Sequence, residues 1–193
     1  MKKRILALLL AVCVACSMLI LPASASGSNT AVQTAVTLGG LTSDQTANLA
    51  APLTRGALTK LMVAFSAYRE SAKTQGSTGT LFSDVSSGSA YAPYVRIAVQ
   101  QGWISGYTDG SFHPDAPITR AEAMTLINRV LCRMPETKVD LLDSMTKWPD
   151  NQPGAWYYLA VQEATNSHEF KRKSAVNEKW TKLTSTPDWK LYQ

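Results

Sequence analysis

Gly102-Trp103-Ile104-Ser105-Gly106-Tyr107-Thr108-Asp109-Gly110-Ser111-Phe112-His113-Pro114, followed closely by Pro117-Ile118-Thr119-Arg120-Ala121-Glu122, is the stretch on which the reading of this chain turns. Its first half is punctuation. Gly102 is a natural helix stop, Asp109-Gly110 reads as a tight turn, and Phe112 then returns to the core while Pro114 and Pro117 keep the approach extended. Its second half starts a helix. Thr119 at the cap and Glu122 three residues on satisfy the capping-box rule, in which each side chain pairs with a free backbone N–H near the other. Ile118 adds a hydrophobic staple just before the cap.

Capping does not explain Arg120. A cation in the first helical turn opposes the helix dipole at a cost of roughly 0.3–1 kcal/mol, and Arg55 stands in the same position of Pro52-Leu53-Thr54-Arg55. A guanidinium beside unpaired N–H groups is half of an anion site. The bland alternative is that each arginine pairs with a carboxylate such as Asp84 or Asp150, and the residues alone leave both readings open. The same loop is not a calcium site, because an EF-hand wants acidic or amide ligands at alternating positions before its glycine and only Asp109 is present.

Working outward, the segment repeats. Pro52-Leu53-Thr54-Arg55 returns as Pro117-Ile118-Thr119-Arg120, and each copy opens a run with helical apolar spacing: Leu58, Leu61, Met62, Phe65 in one and Met124, Ile127, Val130, Leu131 in the other. Phe82-Ser83-Asp84 answers to Trp148-Pro149-Asp150, and Ile97-Ala98-Val99-Gln100 to Leu159-Ala160-Val161-Gln162. The unit is an aromatic-x-Asp lead-in, a first helix, a Gly-rich turn and a Thr-Arg-headed second helix. One whole copy runs from Phe82 to about Arg133, with the back half of a copy before it and the front half of one after. Two short amphipathic helices cannot bury their faces alone, so copies must pack on one another. The expectation is a mainly α fold, a single helical bundle of helix-loop-helix repeats with short irregular connections, in which second-copy helices pack with their half-copy partners.

The rest of the chain is read by composition. Lys2, Lys3 and Arg4 precede an apolar run from Ile5 to Leu21 and then Ala23-Ser24-Ala25, the pattern of a secretory signal peptide over residues 1–25. Residues 26–52 read as a linker, mobile over Ser26 to Ala35, with a short helix over Thr42 to Ala50. Residues 53–170 read as the repeat domain, interrupted by a second mobile stretch from Ser71 to Thr80. Residues 171–193 read as a divergent tail carrying Lys171-Arg172-Lys173, Trp180 and Trp189, where the alternation around Trp180 is a short strand or nothing regular.

Charge and reactive residues exclude several classes. The chain is +5, but removing residues 1–25 takes three basic residues with it and leaves +2, so the alkaline balance gives no reason to expect nucleic acid. Of three cysteines only Cys132 lies beyond the leader, which leaves no intramolecular disulfide. Cys132 ends an apolar helical stretch and reads as a buried, inert thiol. His113 and His168 have no second ligand at metal spacing and are assigned to no metal. No cofactor motif or nucleophile elbow occurs.

Phe82-Ser83-Asp84-Val85, Ile97-Ala98, Gly102 to Phe112 and Ile118-Thr119-Arg120-Ala121-Glu122-Ala123 together resemble a full S-layer homology motif, and the partial copies extend the resemblance to roughly Leu53 through Phe170. The resemblance implies a pseudo-symmetric helical bundle whose grooves bind pyruvylated secondary cell-wall polymer without covalent chemistry. It implies that Arg120, and next Arg55, faces an acidic sugar substituent, and that Trp103 lines the groove. Trp156 is a lesser groove candidate, since Trp148, Trp156, Tyr157 and Tyr158 most often mean core packing. The first copy departs from the motif with Gly56-Ala57 in place of Ala-Glu. The third has Glu169-Phe170 where Tyr-x-Asp-Gly would stand and no Thr-Arg-Ala-Glu. One arrangement consistent with this is that the front half of the third copy completes the back half of the first. The expected function is a non-catalytic, exported, cell-surface protein binding wall polysaccharide, with no membrane contact after leader cleavage. Two alternatives remain: a wall hydrolase with unrecognised catalytic residues, and an adaptor whose tail binds another exported protein.

Overall fold

The computed structural model describes residues 27–42, 51–75, 79 and 81–186; the predicted leader and almost all of the predicted Thr42–Ala50 helix lie outside them. In chain order the elements are α1 (Gly27–Thr37), α2 (Arg55–Ala64), α3 (Arg69–Thr74), α4 (Ala92–Gln100), α5 (Arg120–Val130), β1 (Met134–Pro135), a 3-10 turn (Lys138–Asp140), α6 (Tyr158–Thr165), β2 (His168–Arg172) and β3 (Asn177–Leu183). They fall into two compact units, one ending at Ile118 and the other beginning at Thr119.

The first unit is helical. α2 starts where the repeat predicts, with the Thr54 side chain accepting the Ala57 N–H at 3.2 Å. Leu58, Leu61, Met62 and Val63 of α2 are fully buried, and α2 packs on α4, with α3 against both. A second cluster forms where Val85 and Val95 meet Phe112 returning from the Gly-rich loop, flanked by Phe82, Tyr91, Val99 and Ile104. Thus the back half of the first copy packs on the front half of the second.

The second unit repeats the pairing with α5 on α6, joined in its buried face by the Asn128 side-chain amide donating to Ala160 O at 2.8 Å. It then departs from a bundle. β1, β3 and β2 form a mixed three-stranded sheet in that order, β1 parallel to β3 and β2 antiparallel to it. Trp180 of β3 is almost wholly buried and packs with Leu141 and Tyr158, which is worth roughly 3–5 kcal/mol against truncation to alanine.

The expected mainly α bundle is therefore corrected to a mixed α/β chain of six α-helices and a three-stranded sheet among the described residues. The cause is local: Glu178, Trp180 and their neighbours alternate inward and outward over β3, a period of two that no helix can bury. The stretches read as mobile also carry structure, since α1 occupies most of Ser26 to Ala35 and α3 runs into Ser71 to Thr80. Their small polar residues suit turns but do not forbid helix once a neighbour covers one side, as Ala35 and Ala72 are covered here. No helix among the described residues is long and apolar enough to cross a membrane.

Candidate functional site

The Gly-rich loop is held by a carboxylate. Asp84 accepts the Phe112 N–H at 2.8 Å and the His113 N–H at 2.7 Å, while Phe82 stacks on Phe112 with ring centroids 5.5 Å apart. Burial pushes the Asp84 carboxyl up, but the two backbone N–H groups outweigh it and hold the group below its ordinary value. The aromatic-x-Asp lead-in is thus a clamp on the returning end of its own copy's loop, a role the sequence reading missed.

That loop also receives Arg55. Its Nε donates to Phe112 O at 2.9 Å, and its guanidinium carbon lies 4.8 Å from the Tyr107 ring centroid and 5.0 Å from that of Phe112. Cation–π contacts of this kind contribute about 0.5–2 kcal/mol each. The helix start beside it is closed by main chain, for Arg55 N–H donates to Ala116 O at 3.0 Å and Gly56 N–H to Pro114 O at 2.8 Å. Gly56 departs from the motif for the same reason: a Cβ there would meet the Tyr91 ring at 2.8 Å and Pro114 O at 2.9 Å.

At Arg120 the capping box forms as read. Thr119 N–H donates to Glu122 Oε2 at 2.9 Å and Glu122 N–H to Thr119 Oγ1 at 3.3 Å. Arg120 itself is exposed. Among the described residues its guanidinium has no ion-pair partner, and the N–H groups of Arg120 and Ala121 have no acceptor. Two repeats of one motif therefore carry different environments: Arg55 lies on loop aromatics, and Arg120 stands open beside two free donors. In sequence, the third copy has β2 at the place of its Gly-rich loop.

The two tryptophan candidates also differ. Trp103 is only 7% exposed and meets Tyr68 edge to face at 5.7 Å. Its place follows from the helix ending before it, where Gly102 at φ 67° lets Gly102 N–H reach Val99 O and Trp103 N–H reach Ala98 O at 2.9 and 2.8 Å. Trp156 is 69% exposed, resting edge-on against Tyr157 at 5.3 Å.

His168, read from sequence as solitary, is not. Its Nε2 lies 3.2 Å from Glu163 Oε1 and 3.1 Å from Glu178 Oε1, and the three residues form a cluster of potential metal ligands. The cation at its focus is the protein's own: Arg133 Nη2 is 3.1 Å from Glu163 Oε1, 3.0 Å from Glu178 Oε1 and 2.8 Å from His168 Nε2. Burial pushes the His168 pKa down, but the two carboxylates and the Asn166 carbonyl raise it to about 9. Glu178 moves the other way: burial lifts it, and hydrogen bonds from His168 and Arg133 bring it below its ordinary value. Trp180 Nε1 donates to Glu163 Oε2 at 2.7 Å and its ring stacks on His168 at 4.0 Å. Two cations balance two carboxylates in a site whose ligand positions a guanidinium already fills, so the residues suit an internal ion network rather than a bound metal. Cys132, half-buried, offers its carbonyl to Arg172.

Residues 81–124 match the family model of the S-layer homology domain, the segment from the Phe82 lead-in to the first turn of α5. The chain is 36% identical over 78 residues to a cellulosome-anchoring protein of Acetivibrio thermocellus, covering 40% of this chain and 16% of that protein. It is 34% identical over 90 residues to cell surface glycoprotein 1 of the same organism, covering 47% of this chain and 4% of that protein. The chain thus spans less than a fifth of the length of either relative. No solved structure matches it.

Proposed function

We propose that this protein is an exported, non-catalytic cell-surface protein that binds the bacterial cell wall through its S-layer homology segment, with an acidic, pyruvylated secondary wall polymer as ligand. The observation that carries the reading is the start of α5: an exposed guanidinium beside two N–H groups with no protein acceptor among the described residues. A carboxylate on a sugar satisfies all three donors with charge-assisted hydrogen bonds, each worth about 1.5–3 kcal/mol net. In this reading Arg120 grips the acid and Trp156 offers a sugar-stacking face. Arg55 and Trp103 shape a second groove from behind, because Arg55 lies against Tyr107 and Phe112 and Trp103 is buried. The relatives' descriptions as an anchoring protein and a surface glycoprotein favour the same class.

Arg120→Ala tests it. Retention on purified wall sacculi should fall about tenfold to a hundredfold, the loss of one charge-assisted contact pair, with the unfolding midpoint no lower and slightly raised by relief of the dipole conflict. Wild-type retention of that variant refutes the anion site.

A further inference from the structure

The basic residues around the β2–β3 hairpin divide into two groups. Lys173 is spent internally on Glu136 at 2.8 Å and Asp140 at 2.9 Å, and Arg172 donates to the Cys132 carbonyl and lies over Phe170 at 5.1 Å. Lys171, Lys179 and Lys182 are different: all are exposed, and none has an ion-pair partner among the described residues.

The strand register puts these three on one face. Lys171 stands directly opposite Lys179 and Glu169 opposite Lys182. Phe170 pairs with Trp180 while Glu169 pairs with Lys182, so Thr181 is an extra residue on β3. That irregularity turns Lys182 to the outer face with Lys179; strict alternation would have sent it to the side of Trp180. The inner face keeps His168, Glu178 and Trp180. Like charges directly opposite one another across a pair of strands destabilise it, and here one such pair is joined by a third lysine about 10 Å along the strand.

We infer that the outer face of the β2–β3 hairpin, through Lys171, Lys179 and Lys182, is a second docking surface for a linear polyanionic wall glycan. The inference rests on the wall-binding reading for the nature of the polymer but uses residues outside the S-layer homology segment. Charge complementarity names the occupant. A lipid surface would call for Trp, Phe or Leu beside the lysines, and single-stranded nucleic acid for aromatic stacking platforms; besides the lysines this face carries Glu169, Thr181 and Asn177, with Met134 of β1 next to Asn177, and no aromatic ring. A cross-strand lysine pair with a third lysine about 10 Å along the strand suits a chain that carries its acids at intervals.

The test uses the full chain, immobilised wall polymer, and vesicles of phosphatidylglycerol. Lys179→Glu places a carboxylate opposite Lys171, so it should raise the unfolding midpoint while lowering wall-polymer affinity about tenfold, opposite signs that a purely structural lysine does not give. The triple variant Lys171→Gln, Lys179→Gln, Lys182→Gln should bind with a salt dependence shallower by about one unit of slope per lysine lost. If the triple variant binds wall polymer like wild type while Arg120→Ala does not, the hairpin inference fails and the Arg120 reading stands. If Arg120→Ala binds normally and the triple variant does not, the reverse holds. Lysine-dependent binding to the vesicles with none to wall polymer overturns the assigned occupant.

Discussion

Replacing Glu178 by glutamine removes one of two carboxylates that balance Arg133 and His168 in the second unit. His168 and Glu178 side chains are 2% and 0% exposed, so solvent does little to screen the change. Raising the His168 pKa from 6.5 to about 9 corresponds to about 3 kcal/mol of stability. Because the folded value is the higher one, that contribution is fully present below pH 6.5 and is lost as pH rises through about 9. Glu178 has the opposite sign: its folded pKa is depressed, so its contribution is present above 4.5 and is lost as pH falls. In the Glu178→Gln variant the His168 ring keeps only Glu163 as a carboxylate partner and its pKa drops toward the ordinary value. Stability at neutral pH then falls by about 3–5 kcal/mol, the cost of breaking a buried ion pair. NMR titration of the His168 ring, together with urea unfolding at acidic, neutral and alkaline pH, reads both effects. A wild-type ring titrating near 6.5, or identical pH slopes in the two proteins, would refute the network.

Asp84→Ala leaves the Phe112 and His113 N–H groups without their acceptor, so denaturant unfolding should show a loss of about 2–3 kcal/mol; wild-type stability would show the clamp to be idle. Gly56→Ala in an open helix would gain about 1 kcal/mol, but the Tyr91 ring and Pro114 O are in the way, so a net loss of about 1–2 kcal/mol is expected in the same unfolding assay. Cys132 sits at φ 55° just past α5, where Cys132 N–H reaches Arg129 O and Arg133 N–H reaches Asn128 O at 3.0 and 2.8 Å. That is the position Gly102 fills after α4, and Cys132→Gly should raise stability by about 1 kcal/mol in thermal unfolding.

The repeat was legible because it is written in residues with local meaning. Thr119 with Glu122, and Thr54 before α2, give helix starts from short-range hydrogen bonding alone, and Gly102 gives a stop. The packing of α2 on α4 and α5 on α6 follows from the apolar stripes. What sequence did not disclose depends on contacts between distant residues. Glu163, His168 and Glu178 come together only because β2 and β3 pair next to α6, and the alternation of Glu178 and Trp180 was a clue too short to weigh against a helical repeat. By sequence Asp84 reads as a motif residue and a partner for arginine, whereas it serves backbone N–H groups 28 and 29 residues away. The two arginines looked alike because their local strings match; the loop that separates them belongs to the following copy, present for Arg55 and replaced for Arg120.

The wall-binding reading depends on a negative sugar substituent meeting the open end of α5. Titrating the protein with purified wall polymer before and after mild acid removal of its pyruvate asks this directly. The account predicts strong binding to the intact polymer and, from the loss of one charge-assisted contact, an affinity lower by roughly tenfold or more once the ketal carboxylate is gone. Equal affinity for both preparations would contradict it.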